Sequence, residues 1–301
     1  FFGASRFTDL YWAGLTISNF MRRLVAETAM ENIFMPIYLR LYRRVGHERT
    51  WKASSSILNF SILLSILFVL LGIFFTPQLV RALYPGFVDK GLLTEAVTMF
   101  RIMFPYLVLV SIAGILTTIL KAHGRFGVSE AASVFFSVGS ILVVFLFNKS
   151  AGLYSMGIGV LFGGFLHVLA LLPFFWSIFR DRKGGIGYRP LFHFASPPNK
   201  KYYSQLLPVG GDVVLSKTSE IVDQFLASMQ IEGAISILSF AKQVFRLPFA
   251  IISQAANTVI MRDFSDNLAE HERDRAARLF IEGIKINIFI LAPITILMIV
   301  L

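Results

Sequence analysis

The chain has 301 residues, 55% of them hydrophobic and only 15% charged, with 31 phenylalanines and no cysteine. A soluble domain carries closer to a quarter charged residues, so a water-soluble globular enzyme fits poorly, and the absence of cysteine excludes disulfides and thiolate metal sites. The formal charge of +10 forms no stripe suited to nucleic acid, because the basic residues cluster in particular connections.

Apolar runs of bilayer-crossing length are predicted at about 9–39, 53–80, 96–121, 127–147, 153–179, 203–228, 234–261 and 277–301. The first is polar in its middle. Asn19, Arg23, Glu27 and Glu31 recur every four residues, which puts them on one drifting α-helical stripe and lets Arg23 pair with Glu27. Arg22 points about 100° away. A charge at the bilayer centre costs about 2.5–3.5 kcal/mol on insertion scales, so such residues face a bundle interior or a hydrated cavity. Arg22 or Arg23 would then offer a planar fork to phosphate oxygens; an internal ion pair fixing helix packing stands beside that reading. Asp9, after Thr8, is a candidate N-cap of the same span.

Arg40, Arg43, Arg44, Arg49 and Lys52 read as a basic loop after the first span. Gln78–Leu83 reads as a short amphipathic stretch ending in Tyr84-Pro85-Gly86-Phe87, a turn at the outer interface. Arg101 lies near the outer end of its span, where it can snorkel. Gly159 and Gly163 form a GxxxG pattern suited to close helix packing. Residues 180–202 are the longest polar connection and the natural boundary between two helical lobes. The sixth span carries Asp212, Lys217, Glu220 and Asp223; Lys217 and Glu220 are one turn apart and can neutralise each other. Asp223 has no cationic neighbour on its own helix, so it is either a coupling-cation ligand or a structural partner across helices. The seventh span carries Lys242 and Arg246, like charges a turn apart that call for an anion or acidic partners between them. His47, His123, His167, His193 and His271 lack ligand spacing, and no transition-metal site is expected. No GxxxxGK[ST] loop or HExxH motif occurs.

The connections after spans one, three, five and seven hold seventeen lysines and arginines, against three in the alternate ones. That asymmetry places the former in the cytoplasm. The chain opens on Phe1-Phe2-Gly3 without Met and stops at Leu301 inside an apolar run from Ile286, so an internal fragment is expected.

Gly3-Ala4-Ser5-Arg6-Phe7-Thr8-Asp9, Ser18-Asn19-Phe20-Met21-Arg22-Arg23-Leu24-Val25-Ala26-Glu27 and Phe34-Met35-Pro36 together resemble the start of the MurJ (MviN) lipid II flippases. Tyr84-Pro85-Gly86-Phe87, Phe104-Pro105-Tyr106, Gly163-Gly164, Val222-Asp223-Gln224-Phe225-Leu226-Ala227-Ser228 and Leu247-Pro248 fall where that family has similar sequences. The resemblance implies an all-α integral membrane protein of the multidrug/oligosaccharidyl-lipid/polysaccharide (MOP) exporter superfamily. Its members are multi-pass MATE-like bundles with two lobes around a central cationic cavity. This chain would be truncated at both ends and hold family helices two to nine: an N-lobe over 1–180, a cytoplasmic connection over 181–202 and the start of a C-lobe over 203–301.

The implied function is a transporter, not an enzyme. It would move the undecaprenyl-diphosphate-linked peptidoglycan precursor, lipid II, across the bacterial cytoplasmic (inner) membrane by alternating access, for cell-wall synthesis and cell shape. Asp9, Arg22 and Glu27 match family positions of functional importance, and Asp223 matches a position where some members place a sodium-binding aspartate. Where the family commonly has an Asp-Arg pair, this chain has Lys242-Gln243, and Arg246 replaces an often acidic position. The expected head-group contacts are Asn19, Arg22, Arg23, Lys242, Gln243 and Arg246, with Arg22 and the C-lobe cations neutralising the diphosphate. Asp9, Glu27, Glu31, Lys217 and Glu220 are expected to serve as gating or ion-pair residues. Expected partners are lipid II, membrane lipids and cell-wall synthesis proteins, with no nucleic acid, no cofactor beyond a sodium coupling ion at Asp223, and a monomeric state. The rivals are a sister exporter of another polyprenyl-linked glycan or a drug, and a non-transporting scaffold or degenerate paralogue.

Overall fold

The computed structural model describes residues 3–24, 29–180, 197–246, 281–285, 288–289, 292–293 and 295–296. The chain divides into two compact units, Phe1–Ile235 and Ser236–Leu301. The described part of the first unit is helical: α1 (Arg6–Arg22), a π-helical turn (Ala29–Phe34), α2 (Met35–Leu83), α3 (Pro85–Asp89), α4 (Leu93–Met103), α5 (Tyr106–Ala122), α6 (Phe126–Ala151), α7 (Tyr154–Arg180) and α8 (Pro197–Ser228). In the second unit the described residues up to 246 continue a helix that begins at 234.

Four helical stretches among the described residues are long and apolar enough to cross a membrane: Thr50–Leu83, Leu93–Ala122, Phe126–Ala151 and Tyr154–Ile178. They correspond to the second to fifth expected spans. The third is two helices, α4 and α5, meeting at Phe104-Pro105; the proline lacks an N–H for the ladder, and a new helix starts behind it. α8 covers the expected sixth span but carries too many charged and polar residues to count among the four. The expected basic loop after the first span is not a loop, since helical backbone runs unbroken from Met35 to Leu83. Arginine and lysine are good helix formers, and the stretch from Arg40 to Lys52 contains no proline, so charge density alone misplaced the break.

Two apolar cores lie in the first unit. One joins Met30, Ile33 and Phe34 of the π-helical turn to Tyr38, Trp51 and Ile57 of α2, Leu116, Ile119 and Leu120 of α5, Leu171 of α7 and Tyr202 of α8. The other joins Leu10, Ala13 and Ile17 of α1 to Val80, Tyr84, Phe87, Met99, Phe100 and Met103. Between helices the contacts use small and polar side chains, as in membrane bundles generally, where lipid supplies no hydrophobic drive for helix association. Ser65 Oγ meets Ser111 Oγ at 2.7 Å and Ser61 Oγ meets the Tyr202 hydroxyl at 2.9 Å. These bonds tie α2 to α5 and α8.

The Gly159–Gly163 pattern does pack closely, as expected. A Cβ on Gly163 would overlap the Phe136 carbonyl oxygen, and one on Gly159 would lie 2.9 Å from that of Ser140. Ser140 Oγ also donates to the Gly159 carbonyl at 3.0 Å. α6 and α7 are held at backbone distance there.

The first unit does not stop at residue 180. α8 packs on α1, α2, α3 and the π-helical turn, and the first compact unit extends to Ile235. Residues 181–196 of the expected 181–202 connection lie outside the described residues.

Candidate functional site

Arg22 is the last residue of α1, and its Nε donates to Asn19 Oδ1 at 3.3 Å. Beyond it the helix changes pitch, with Ala29–Phe34 forming a π-helical turn. A π-turn closes i→i+5 bonds, so residues four apart no longer share a stripe. Within α1 itself Asn19 lies one α-helical turn before Arg22 and supports it, and Arg23 is exposed. Glu27 and its expected pairing with Arg23 lie outside the described residues.

Arg22 lines a cavity of about 150 Å³ together with Glu31, Thr117, Thr118, Lys121, Ser129, Glu130, Ser133 and His167. Lys121 Nζ lies 2.9 Å from Glu31 Oε1 and 3.1 Å from Glu130 Oε1, tying the π-helical turn to α5 and α6. Glu31 is 43% and Glu130 70% exposed, so each pair contributes only about 0–1 kcal/mol. Their role is positional: Lys121 holds two carboxylates at the rim while Arg22 reaches the interior. His167 Nε2 is buried with no hydrogen-bonding partner among the described residues. The volume matches a phosphate group with a few waters, and an arginine fork suits that chemistry.

A second polar constellation closes the opposite end of the unit, which the loop charges assign to the outside. Tyr84, 1% exposed, donates to Gln224 Oε1 at 2.8 Å and approaches the Ala13 carbonyl at 3.3 Å. Gln224 Nε2 donates to Thr16 Oγ1 at 2.7 Å. Lys90 Nζ donates to the Ser228 carbonyl at 3.0 Å and to the Gln230 carbonyl. Asp9, 3% exposed, accepts from the Gly233 amide through Oδ2 at 2.7 Å. Gly233 has φ +87° and a Cβ there would meet the Ala4 carbonyl at 2.9 Å, so only glycine fits this approach. Five hydrogen bonds thus connect α8 and residues 230–233 to α1 and the α2–α3 corner.

Two expectations are corrected here. Asp9 does not cap α1: Ser5 does, accepting from the Thr8 amide at 3.4 Å, while Asp9 reaches across to Gly233. Tyr84-Pro85-Gly86-Phe87 is no interfacial turn, for Tyr84 and Phe87 are buried at 1% and 2% exposure and Pro85 opens α3.

Lys217 Nζ and Glu220 Oε2 form the expected pair at 2.7 Å. Asp212 and Asp223 are exposed on α8. The described residues contain no group of three or more acidic, histidine or cysteine ligands that could hold a metal ion. Lys242, half-buried, and Gln243 and Arg246, both exposed, lie in the second unit. Leu247-Pro248 lies outside the described residues. Sequence reasoning missed Lys121, Glu130, His167, Tyr84, Lys90 and Gln224. Glu130 and His167 carry a usable signal as lone polar groups in apolar runs, and Lys121, at a span end, reads from the sequence only as one of the cytoplasmic basic residues.

The sequence model of the family described as lipid II flippase MurJ matches residues 1–301. The lipid II flippase MurJ of Burkholderia cenocepacia is 29% identical over 298 residues, covering 97% of this chain and 57% of that protein. The probable lipid II flippase MurJ of Borreliella burgdorferi is 27% identical over 298 residues, covering 99% and 57%. The chain thus spans about half the length of these relatives. A solved lipid II flippase MurJ in an inward closed conformation superposes with TM-score 0.71 at 23% identity, over 88% of this chain and 54% of that one. An inward-facing multidrug resistance MATE family transporter of the MOP superfamily does so with TM-score 0.69 at 16% identity, over 97% and 66%. Both share the fold.

Proposed function

This chain belongs to the lipid II flippase MurJ family, and from that premise we propose that the protein carries the undecaprenyl-diphosphate-linked muropeptide between leaflets of the cytoplasmic membrane by alternating access. The observation that carries the reading is Arg22 lining a cavity of mixed polar and apolar side chains between helices long and apolar enough to cross a membrane. A guanidinium there presents parallel donors to a diphosphate, and the apolar tail has no reason to leave the bilayer. Lys121, held between Glu31 and Glu130, keeps two carboxylates from repelling the incoming anion. A like role as head-group contacts is proposed for Lys242 and Arg246 within the second unit, where Lys242 supplies a point charge and not a fork.

The outer end is sealed by the Tyr84–Gln224–Thr16 chain, the Lys90 bonds and the Asp9–Gly233 bond. Each contributes a net ~0.5–1.5 kcal/mol, more where a charged partner is involved. Opening that end therefore requires roughly 5 kcal/mol or more from bound substrate or from the membrane potential, which supplies about 2.3 kcal/mol per elementary charge per 100 mV. A sodium ion at Asp223 would add coupling. The described residues gather no cluster of three or more acidic, histidine or cysteine ligands, which fits such an ion poorly.

The test is complementation of flippase-deficient cells by the protein carrying this chain. The wild type restores growth, and Arg22→Ala, inserted at equal level, does not. Growth with Arg22→Ala removes Arg22 from the mechanism, while failure of the wild type despite stable insertion favours a sister exporter or a scaffold.

A further inference from the structure

On the face of the α6–α7 pair away from the Arg22 cavity lies a groove of about 570 Å³ lined only by apolar residue types. Val128, Ala131 and Phe135 of α6 form one wall, and Leu166, Ala170 and Phe174 of α7 the other. The two helices meet at backbone distance at Gly139 and Gly163; towards the cytoplasmic ends the alanines leave space that the phenylalanines border. Phe135 and Phe174 are 50% and 43% exposed. In a chain whose α6 and α7 cross a membrane, such a face meets lipid chains.

One end of the groove is not apolar. Arg125 precedes α6 by one residue, and its Nη1 donates to Ser177 Oγ at 2.7 Å, one turn beyond Phe174. That bond fixes the guanidinium at the rim and leaves its side facing outward, since Arg125 is exposed. No side chain caps the N-terminus of α6, which adds partial positive charge at the same level. Trp176, 61% exposed, sits beside Ser177 at the depth where indole rings mark the membrane interface. The rim lies at the end that the loop charges assign to the cytoplasm, where the leaflet surface is negative.

We propose that this groove is a binding site for an anionic phospholipid of the cytoplasmic leaflet, one acyl chain lying between α6 and α7 and the phosphate on Arg125. A protein segment is the poorer occupant, because the lining offers no polar group to set its register whereas the rim offers a cation to a head group. The site is separate from the Arg22 cavity and does not depend on the transport reading.

The full chain in phosphatidylcholine nanodiscs, doped with phosphatidylglycerol carrying a photoactivatable acyl chain, tests this by mapping cross-linked peptides. Labelling is expected on residues 127–135 and 166–174, about fivefold stronger than with an identically modified phosphatidylcholine probe, the effect of one basic residue at a membrane surface. Arg125→Gln removes the head-group preference and Arg125→Lys keeps it. Ala131→Phe with Ala170→Phe fills the groove and suppresses labelling there, while labelling near Phe145 on the outer half of α6 persists and reports intact insertion. Equal labelling by both probes, or a preference unchanged by Arg125→Gln, reduces the groove to ordinary lipid-facing surface and overturns the proposal. Labelling near Phe145 without any in the groove overturns it as well, because something other than lipid then covers it.

Discussion

Removing the Tyr84 hydroxyl isolates the outer seal from the rest of the fold. Tyr84→Phe keeps the ring against Phe87 and Phe100, with centroids at 5.3 and 5.8 Å, and deletes one oxygen. It leaves Gln224 Oε1, which accepted at 2.8 Å in a residue only 3% exposed, buried without that donor. An acceptor stranded in this way costs about 1–3 kcal/mol. When the end opens, water replaces the donor and the cost vanishes, so the variant favours the open form by roughly 5- to 150-fold. The chain contains no cysteine, so a single Ala13→Cys reporter is clean: Ala13 is fully buried on α1 and its carbonyl faces the Tyr84 hydroxyl. The labelling rate by a membrane-impermeant maleimide added outside is expected to rise at least about fivefold in Tyr84→Phe. A rate unchanged by the substitution, with thermal stability lowered, refutes the reasoning, because the hydroxyl then serves the fold equally in both states.

Gly86→Ala acts on the same seal by sterics: its Cβ would overlap the Ser228 carbonyl oxygen, and backbone cannot step aside as a flexible side chain can. It should raise labelling of the Ala13→Cys reporter further than Tyr84→Phe does, and an unaltered rate would contradict the close approach of α3 and α8. Gly163→Val drives a side chain into the Phe136 carbonyl oxygen and should destabilise the α6–α7 pair by ~1–3 kcal/mol, read from unfolding in detergent; a neutral result would contradict the packing. Lys121→Met changes stability by no more than about 2 kcal/mol for the two pairs together, because Glu31 and Glu130 are exposed. The two carboxylates at the rim then face the cavity without their shared cation, so affinity for a diphosphate lipid should fall. Undiminished binding would dismiss Lys121 as a positioning residue.

Where local spacing sufficed, the sequence was readable. Gly159 and Gly163 announced a close helix contact, and Lys217 and Glu220 a one-turn ion pair. The apolar runs behind the four membrane-crossing stretches needed only length and composition. In the first span the four-residue period from Asn19 cannot be carried through Ala29–Phe34, because the backbone there is π-helical; the Arg23–Glu27 pair lies outside the described residues. Asp9 failed for a different reason: N-cap chemistry is local, but its partner Gly233 lies 224 residues away, and no spacing rule sees such a contact. Tyr84, Lys90 and Gln224 were hidden likewise, as tyrosine and glutamine at helix ends ordinarily mean little. Lys121 stands beside the Gly124 turn, where a charge is usual, and Glu130 shows only as a lone acid in an apolar run; the packing that brings Lys121 to both Glu31 and Glu130 gives them a common purpose.

The central claim is that Arg22 grips the diphosphate of the carried lipid during transport. Leaflet accessibility of lipid II in proteoliposomes containing the protein tests it most directly, with an enzyme that modifies only the exposed leaflet. Wild-type protein is expected to make the inner-leaflet pool accessible, Arg22→Ala to leave it at the level of empty vesicles, and Arg22→Lys to fall between, since a point charge replaces a fork. Transfer by Arg22→Ala at the wild-type rate, with equal reconstitution, would contradict the account.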